Sequence, residues 1–140
     1  DWDVIYKIGQ ERSIEIFLNF PVADINRNVL WRDASKVSGL QIERMNKFWG
    51  DNSWREVAYV EAPQKHLFGN KIQEKSSNET IANLLRKILK NVAGFKYVPE
   101  PIAMKNSQNA IIYYLFFASP KPVAANIVKS IFDKYEKRAI

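Results

Sequence analysis

An α/β fold with an antiparallel end is what the sequence predicts, on three observations. "SIEIFLNFP" carries Ile14, Ile16, Phe17, Leu18 and Phe20 almost without interruption, as in a strand covered on both faces. "TIANLLRKILKNVAG" keeps a helical stripe of Ile81, Leu84, Leu85, Ile88, Leu89 and Val92. "KYVPEPIAMK" and "AIIYYLFFA" flank "NSQN", which reads as a hairpin turn. Together they match the second half of a doubly wound sheet with a reversed strand near its edge.

Taken in order, "DWDVIYKIG" is a short helix with Asp1 as N-cap and Gly9 as its left-handed stop. Pro21 closes the first strand, because proline has no N–H for a ladder. Ser38 and Gln41 form a capping-box pattern before "QIERMNKFW", where Ile42, Met45 and Trp49 share a face and Gly50 ends the run. Ser53 and Glu56 repeat the pattern before "WREVAYV". From Glu61 to Lys75 no period is visible, and a long loop is expected. Ser76 with Glu79 caps the long helix, and Gly94 ends it. Pro99 and Pro101 alternate, so "KYVPEPIAMK" is an edge strand and the all-apolar "AIIYYLFFA" a central one. Ser119 and Pro120 open the last helix, with Val123, Ile127, Ile131 and Tyr135 at i+4 spacing.

The chain has 140 residues, 46% of them hydrophobic, which suits a single unit over 1–140 with a helical and loop insertion at 22–77. There is no cysteine, so disulfides, thiolate catalysis and zinc ribbons are excluded. The longest apolar run falls short of the ~20 residues that span a bilayer, and no secretory leader is visible, so a cytoplasmic protein with no membrane contact is expected. The chain begins at Asp1 rather than methionine, as a piece of something longer would. A net charge of +6 permits an anionic partner such as nucleic acid, and equally describes a lysine-rich soluble surface.

The five glycines include no pair close enough for a G-x-G or P-loop, and the one histidine, His66, cannot build a metal site alone. No serine sits in a nucleophile elbow. Two polar groupings remain as candidate substrate contacts. One is Asn19 with Asp24, Asn26, Arg27 and Asn28, where a strand discharges into hydrogen-bonding side chains at what would be the sheet rim. Asn19, if buried within its strand, needs partners. The other reading is that Asn19 and Asn28 satisfy turn backbone near Pro21. The second grouping, "FWGDNSWRE", packs Trp49, Asp51, Trp54 and Arg55 into a few positions, where the tryptophan faces and the arginine can sandwich a planar ligand, or the tryptophans anchor two short helices onto a core. Arg86, Lys87, Lys90, Lys129, Lys134, Lys137 and Arg138 fall on outward helix faces, as a solvated surface or a binding stripe.

On "FLNFPVADINRN", "RMNKFWGDNSWRE" and "YYLFFASPKPVAANIVKSIFDKY", the chain resembles the three-Cys-motif partner (TcmP) proteins. Their fold is like that of class I S-adenosylmethionine-dependent methyltransferases. The resemblance implies the C-terminal half of a Rossmann-like methyltransferase sheet: three strands, the last two an antiparallel hairpin, with flanking helices. S-adenosylmethionine is implied for the full-length protein, but the glycine loop and the Asp-Pro-aromatic-Gly motif that serve it are absent here. No cofactor is therefore expected on this chain alone, and no catalytic residue carries over. Asn19, Arg27 and Asn28 match rim positions. In the usual strand order, strand 14–20 would lie beside a missing neighbour and expose an apolar edge. A homodimer or other association through that edge is expected. The alternative is a non-catalytic module that docks a partner protein.

Overall fold

The computed structural model describes residues 1–29, 34–61, 73–75 and 78–138. Among these the chain is mixed α/β, with six α-helices and a three-stranded antiparallel sheet. Helix α1 (Trp2–Glu11) starts at Asp1, whose carboxylate accepts from the Asp3 N–H at 3.1 Å. It runs through Gly9, where a stop was expected, and ends at Arg12 with φ 56°. The reason lies in packing. Gly9 is buried against the backbone of Ala93, and only a residue without a Cβ allows that approach.

Strand β1 (Ile16–Phe20) leads directly into α2 (Val22–Asn28). Helix α3 (Gly39–Trp49) is capped as its sequence suggests, with Ser38 Oγ accepting from the Gln41 N–H at 3.4 Å. Gly50 ends it at φ 108°, a conformation that side chains resist. Helix α4 (Trp54–Ala58) follows, and then a correction. The expected loop from 61 begins and ends in a short antiparallel ribbon, β2 (Tyr59–Glu61) with β3 (Gln73–Lys75). Residues 62–72, His66 among them, and the Ser76 cap lie outside the described residues.

Helix α5 (Asn78–Asn91) buries Ile81, Ala82, Leu85 and Leu89, while Val92, counted in its stripe, is 52% exposed just past its end. Strand β4 (Ile102–Lys105) and strand β5 (Ile111–Ala118) form the hairpin. The turn at Asn106–Asn109 is held by the Asn106 carboxamide oxygen, which accepts from the N–H groups of Gln108 and Ala110. The ladder begins only at Ile102, later than "KYVPEPIAMK" suggests, because Pro99 and Pro101 have no N–H to offer. Upstream, Tyr97 and Ser119 exchange a single pair of backbone bonds at 2.9 Å. Helix α6 (Pro122–Arg138) closes the chain. It buries Val128 and Phe132 rather than Ile131, and the side chains of Val123, Ile127 and Tyr135 lie outside the described residues.

The sheet order is β1-β5-β4, so β5 is central and β4 an edge, as expected. Successive residues of β5 face opposite sides. Tyr114, Phe116 and Ala118 enter the main core with α1 to α5, and Phe117 meets Ile102, Val128 and Phe132 under α6. The segment 22–77 helps build this main core through Val22, Ile25, Met45, Trp49, Trp54 and Ala58. Strand β1 departs from the double coverage expected of it. Ile16, Leu18 and Phe20 face the main core, but on the α6 side Phe17 is 55% exposed and Asn19 is exposed outright. Among the described residues, the Phe17 ring meets Phe117 and Phe132 of that layer at ring centroid distances of 5.1 and 6.5 Å. Among the described residues, β1 is hydrogen-bonded only to β5.

Candidate functional site

The polar cluster after Phe20 is a helix, not a loop. Pro21 occupies the N-cap position, and α2 follows with Val22, Ile25 and Val29 buried at i, i+3 and i+7. That period turns Asp24 and Asn28 outward together. The Asn28 Nδ2 donates to Asp24 Oδ1 at 3.0 Å. Across from them runs α3, fixed over the sheet by Phe48, whose ring stacks on Phe20 at 5.8 Å and 14°.

Between α2 and α3 lies a cleft of about 180 Å³. Asp24, Asn28, Gln41 and Arg44 supply its polar lining, with Ile25, Val29, Met45 and Phe48 among the apolar side chains beneath. One carboxylate, one guanidinium and two carboxamides over an apolar floor can orient a small polar molecule by hydrogen bonds. The lining holds no serine, cysteine, histidine or lysine, and its one carboxylate, Asp24, accepts from Asn28. Gln41 and Arg44 were missed as site residues. Their three-residue spacing on α3, away from the Ile42, Met45 and Trp49 face, was the available signal.

The other residues expected at the rim disperse. Asn19 points to the α6 side of β1, opposite Leu115, because strand side chains alternate. It is exposed, so the expectation of a buried amide needing partners does not hold. Asn26 turns toward α5, where its Nδ2 donates to Asn78 Oδ1 at 2.9 Å. Its own Oδ1 is buried without a hydrogen-bond partner. Arg27 is exposed on α2 and is engaged in an interaction of its own.

The tryptophans anchor helices to the core. Trp49 and Trp54 are each 2% exposed. The Trp49 indole N–H donates to Ser53 Oγ at 3.2 Å, and that of Trp54 to Asn46 Oδ1 at 2.7 Å. Neither ring has a face free for a planar ligand, which corrects the sandwich reading. Arg55 is exposed and sits 5.7 Å from the centre of the Trp54 ring. Ser53 Oγ thus accepts from Trp49, while its backbone N–H donates to Asp51 Oδ1 at 2.9 Å. The bonds from Ser53, side chain first and backbone second, hold the Asp51 carboxyl below the usual aspartate range. Tyr114 shifts the other way. Burial raises its phenol, and the negative charge of Glu79 adds to the effect.

Among the described residues no group of three or more histidine, cysteine, aspartate or glutamate side chains is placed to hold a metal. No helix among them is long and apolar enough to cross a membrane. Comparison with protein families, curated proteins and solved structures returns no match for this chain. The class stated by the fold itself is a mixed α/β protein with a three-stranded antiparallel sheet.

Proposed function

We propose that this chain is the later part of a methyltransferase-like α/β assembly, completed across the open edge of β1 by a further strand. The contrast between the two edges of its sheet carries this reading. On the β4 side the edge is blunted: Pro99 and Pro101 precede it, a register shift falls between Met104 and Lys105, and a lysine closes it. Those are the devices by which proteins keep strand edges from pairing. On the β1 side the strand itself, Ile-Phe-Leu-Asn-Phe, carries no charge, proline or bulge between Glu15 before it and Pro21 after it, and Phe17 within it and Ile14 just ahead of it are exposed. An edge left in that state suits pairing. The order β1-β5-β4, with its central strand antiparallel to both neighbours, agrees with the ending that the resemblance implies.

In this reading donor binding belongs to the rest of the assembly, since no two glycines here lie close enough to form the glycine loop that the resemblance assigns to the methyl donor. Nucleic acid is the substrate class we favour for the whole assembly, on the positive charge of this part. The chain by itself pairs two β1 edges about a two-fold axis, because an antiparallel strand pair is self-complementary.

Sedimentation velocity over a range of concentrations tests the edge. A dimer is expected for the wild type, and a monomer of unchanged circular dichroism for Ile14→Lys, which leaves the Phe17 contacts with Phe117 and Phe132 in place. A wild type that stays monomeric at several hundred micromolar sinks the open-edge reading. Titration of the chain with S-adenosylmethionine should release no heat, and saturable binding would overturn the assignment of donor binding elsewhere.

A further inference from the structure

The geometry points to a binding trough for a sugar–phosphate backbone at the C-terminal end of α5, on the opposite end of the sheet from the α2–α3 cleft. Two concavities meet there. One, of about 550 Å³, is lined by Arg12, Lys90, Gly94, Phe95, Lys96 and Pro120. The other, of about 390 Å³, has Arg86, Lys87 and Lys90 on its wall with Glu100. Lys90 lines both, so the two lie side by side with its side chain at their shared margin. Its cations are Arg12, Arg86, Lys87, Lys90 and Lys96, and its one lining carboxylate is Glu100.

Separate parts of the chain deliver these charges to one place. Arg86, Lys87 and Lys90 occupy the face of α5 turned away from Ile81, Leu85 and Leu89. Arg12 sits at the left-handed end of α1, and Lys96 follows the turn at Gly94, φ 90°. The α1 end is held there by Gln10, whose Nε2 donates to the Ala93 carbonyl at 3.0 Å. Arg86 is steadied by donating Nε–H to the Val98 carbonyl at 2.7 Å, which uses one of its five N–H groups.

Why an extended polyanion rather than a compact one? Lys87 and Lys90 are separated by roughly 5 Å along the helix axis at 1.5 Å per residue. Lys90 then passes the line of charge across to Lys96 and Arg12. A series of single charges at successive positions matches a chain of phosphodiesters, which binds by releasing counterions from each phosphate it neutralises. The trough lies at the end of the sheet where Arg12 precedes β1 and Pro120 follows β5, with Ile16 paired to Ala118, and as a nucleic-acid site it rests on the substrate class favoured above.

Fluorescence anisotropy with a labelled 20-base-pair DNA duplex and a single-stranded RNA of equal length tests the trough across salt concentrations. Micromolar binding at low salt is expected, with a slope of log K against log salt of about −3 to −4. Lys90→Glu/Lys96→Glu should weaken it about tenfold or more and flatten the slope by about two. Lys129→Glu/Lys134→Glu makes the same change in net charge on the exposed surface of α6, over the other face of the sheet, and should have little effect. Equal loss in both variants would reduce the effect to net charge and overturn the trough. So would failure of both nucleic acids to bind, or binding confined to anionic lipid vesicles.

Discussion

Replacing Gly9 by alanine should destabilise the protein, although the same change in an ordinary helix interior stabilises by about 1 kcal/mol. A methyl group at Gly9 would run into the Ala93 carbonyl oxygen, with the Ala93 carbonyl carbon at 2.9 Å and Phe95 Cε2 at 3.1 Å. The obstacle is backbone, so no rotamer change relieves it. Overpacking of this kind costs ~1–3 kcal/mol. The same carbonyl accepts from Gln10, and disturbing that bond adds about 1 kcal/mol. Set against the helix gain, the net loss is about 1–3 kcal/mol. Urea unfolding followed by tryptophan fluorescence reads this as a fall in midpoint of roughly 1 M, taking an m value on the order of 2 kcal/mol/M. Gly39→Ala is the internal control. It opens α3 with no atom within 4 Å of the added methyl, so its midpoint should stay or rise. A Gly9→Ala protein as stable as wild type would refute the close packing of α1 on the Ala93 turn.

Two further outcomes follow from the region around the tryptophans. Trp54→Phe keeps the buried ring but drops the bond to Asn46, and should cost about 1–3 kcal/mol in thermal unfolding; unchanged stability would show that the Asn46 bond does not help anchor Trp54. Asp51→Asn should destabilise at pH 7, with the gap closing as pH falls through the folded pKa, because a carboxyl held below its unfolded value contributes stability that is lost there. A gap between wild type and variant that does not narrow at all as the protein is acidified would show that the Ser53 bonds do not depend on the charge.

Local grammar was legible wherever one turn of chain settles the matter. Asp1 and Ser38 cap their helices, Gly50 and Gly94 adopt positive φ, and the prolines at 99 and 101 keep β4 at the edge. Each rests on the conformational range or the hydrogen-bonding inventory of one residue, which does not change with context. Even so, Gly9 shows the limit: the same residue type sits inside a helix because a distant carbonyl needs the space.

The site was harder to see because it depends on which surfaces meet. Asn19 and Asp24 are five positions apart, yet the pleat of β1 turns Asn19 to the α6 side while α2 carries Asp24 to the facing wall of α3. Trp49 and Trp54 look alike as core or as platform until their burial is known, and only packing decides it. Likewise Arg12, Lys90 and Lys96 are scattered in the chain and joined by a turn. Residue order determined the kinds of element, their caps and the charge available. The tertiary structure alone decided which side chains became neighbours, since proximity between segments comes from the shared burial of apolar faces and is written in no single stretch.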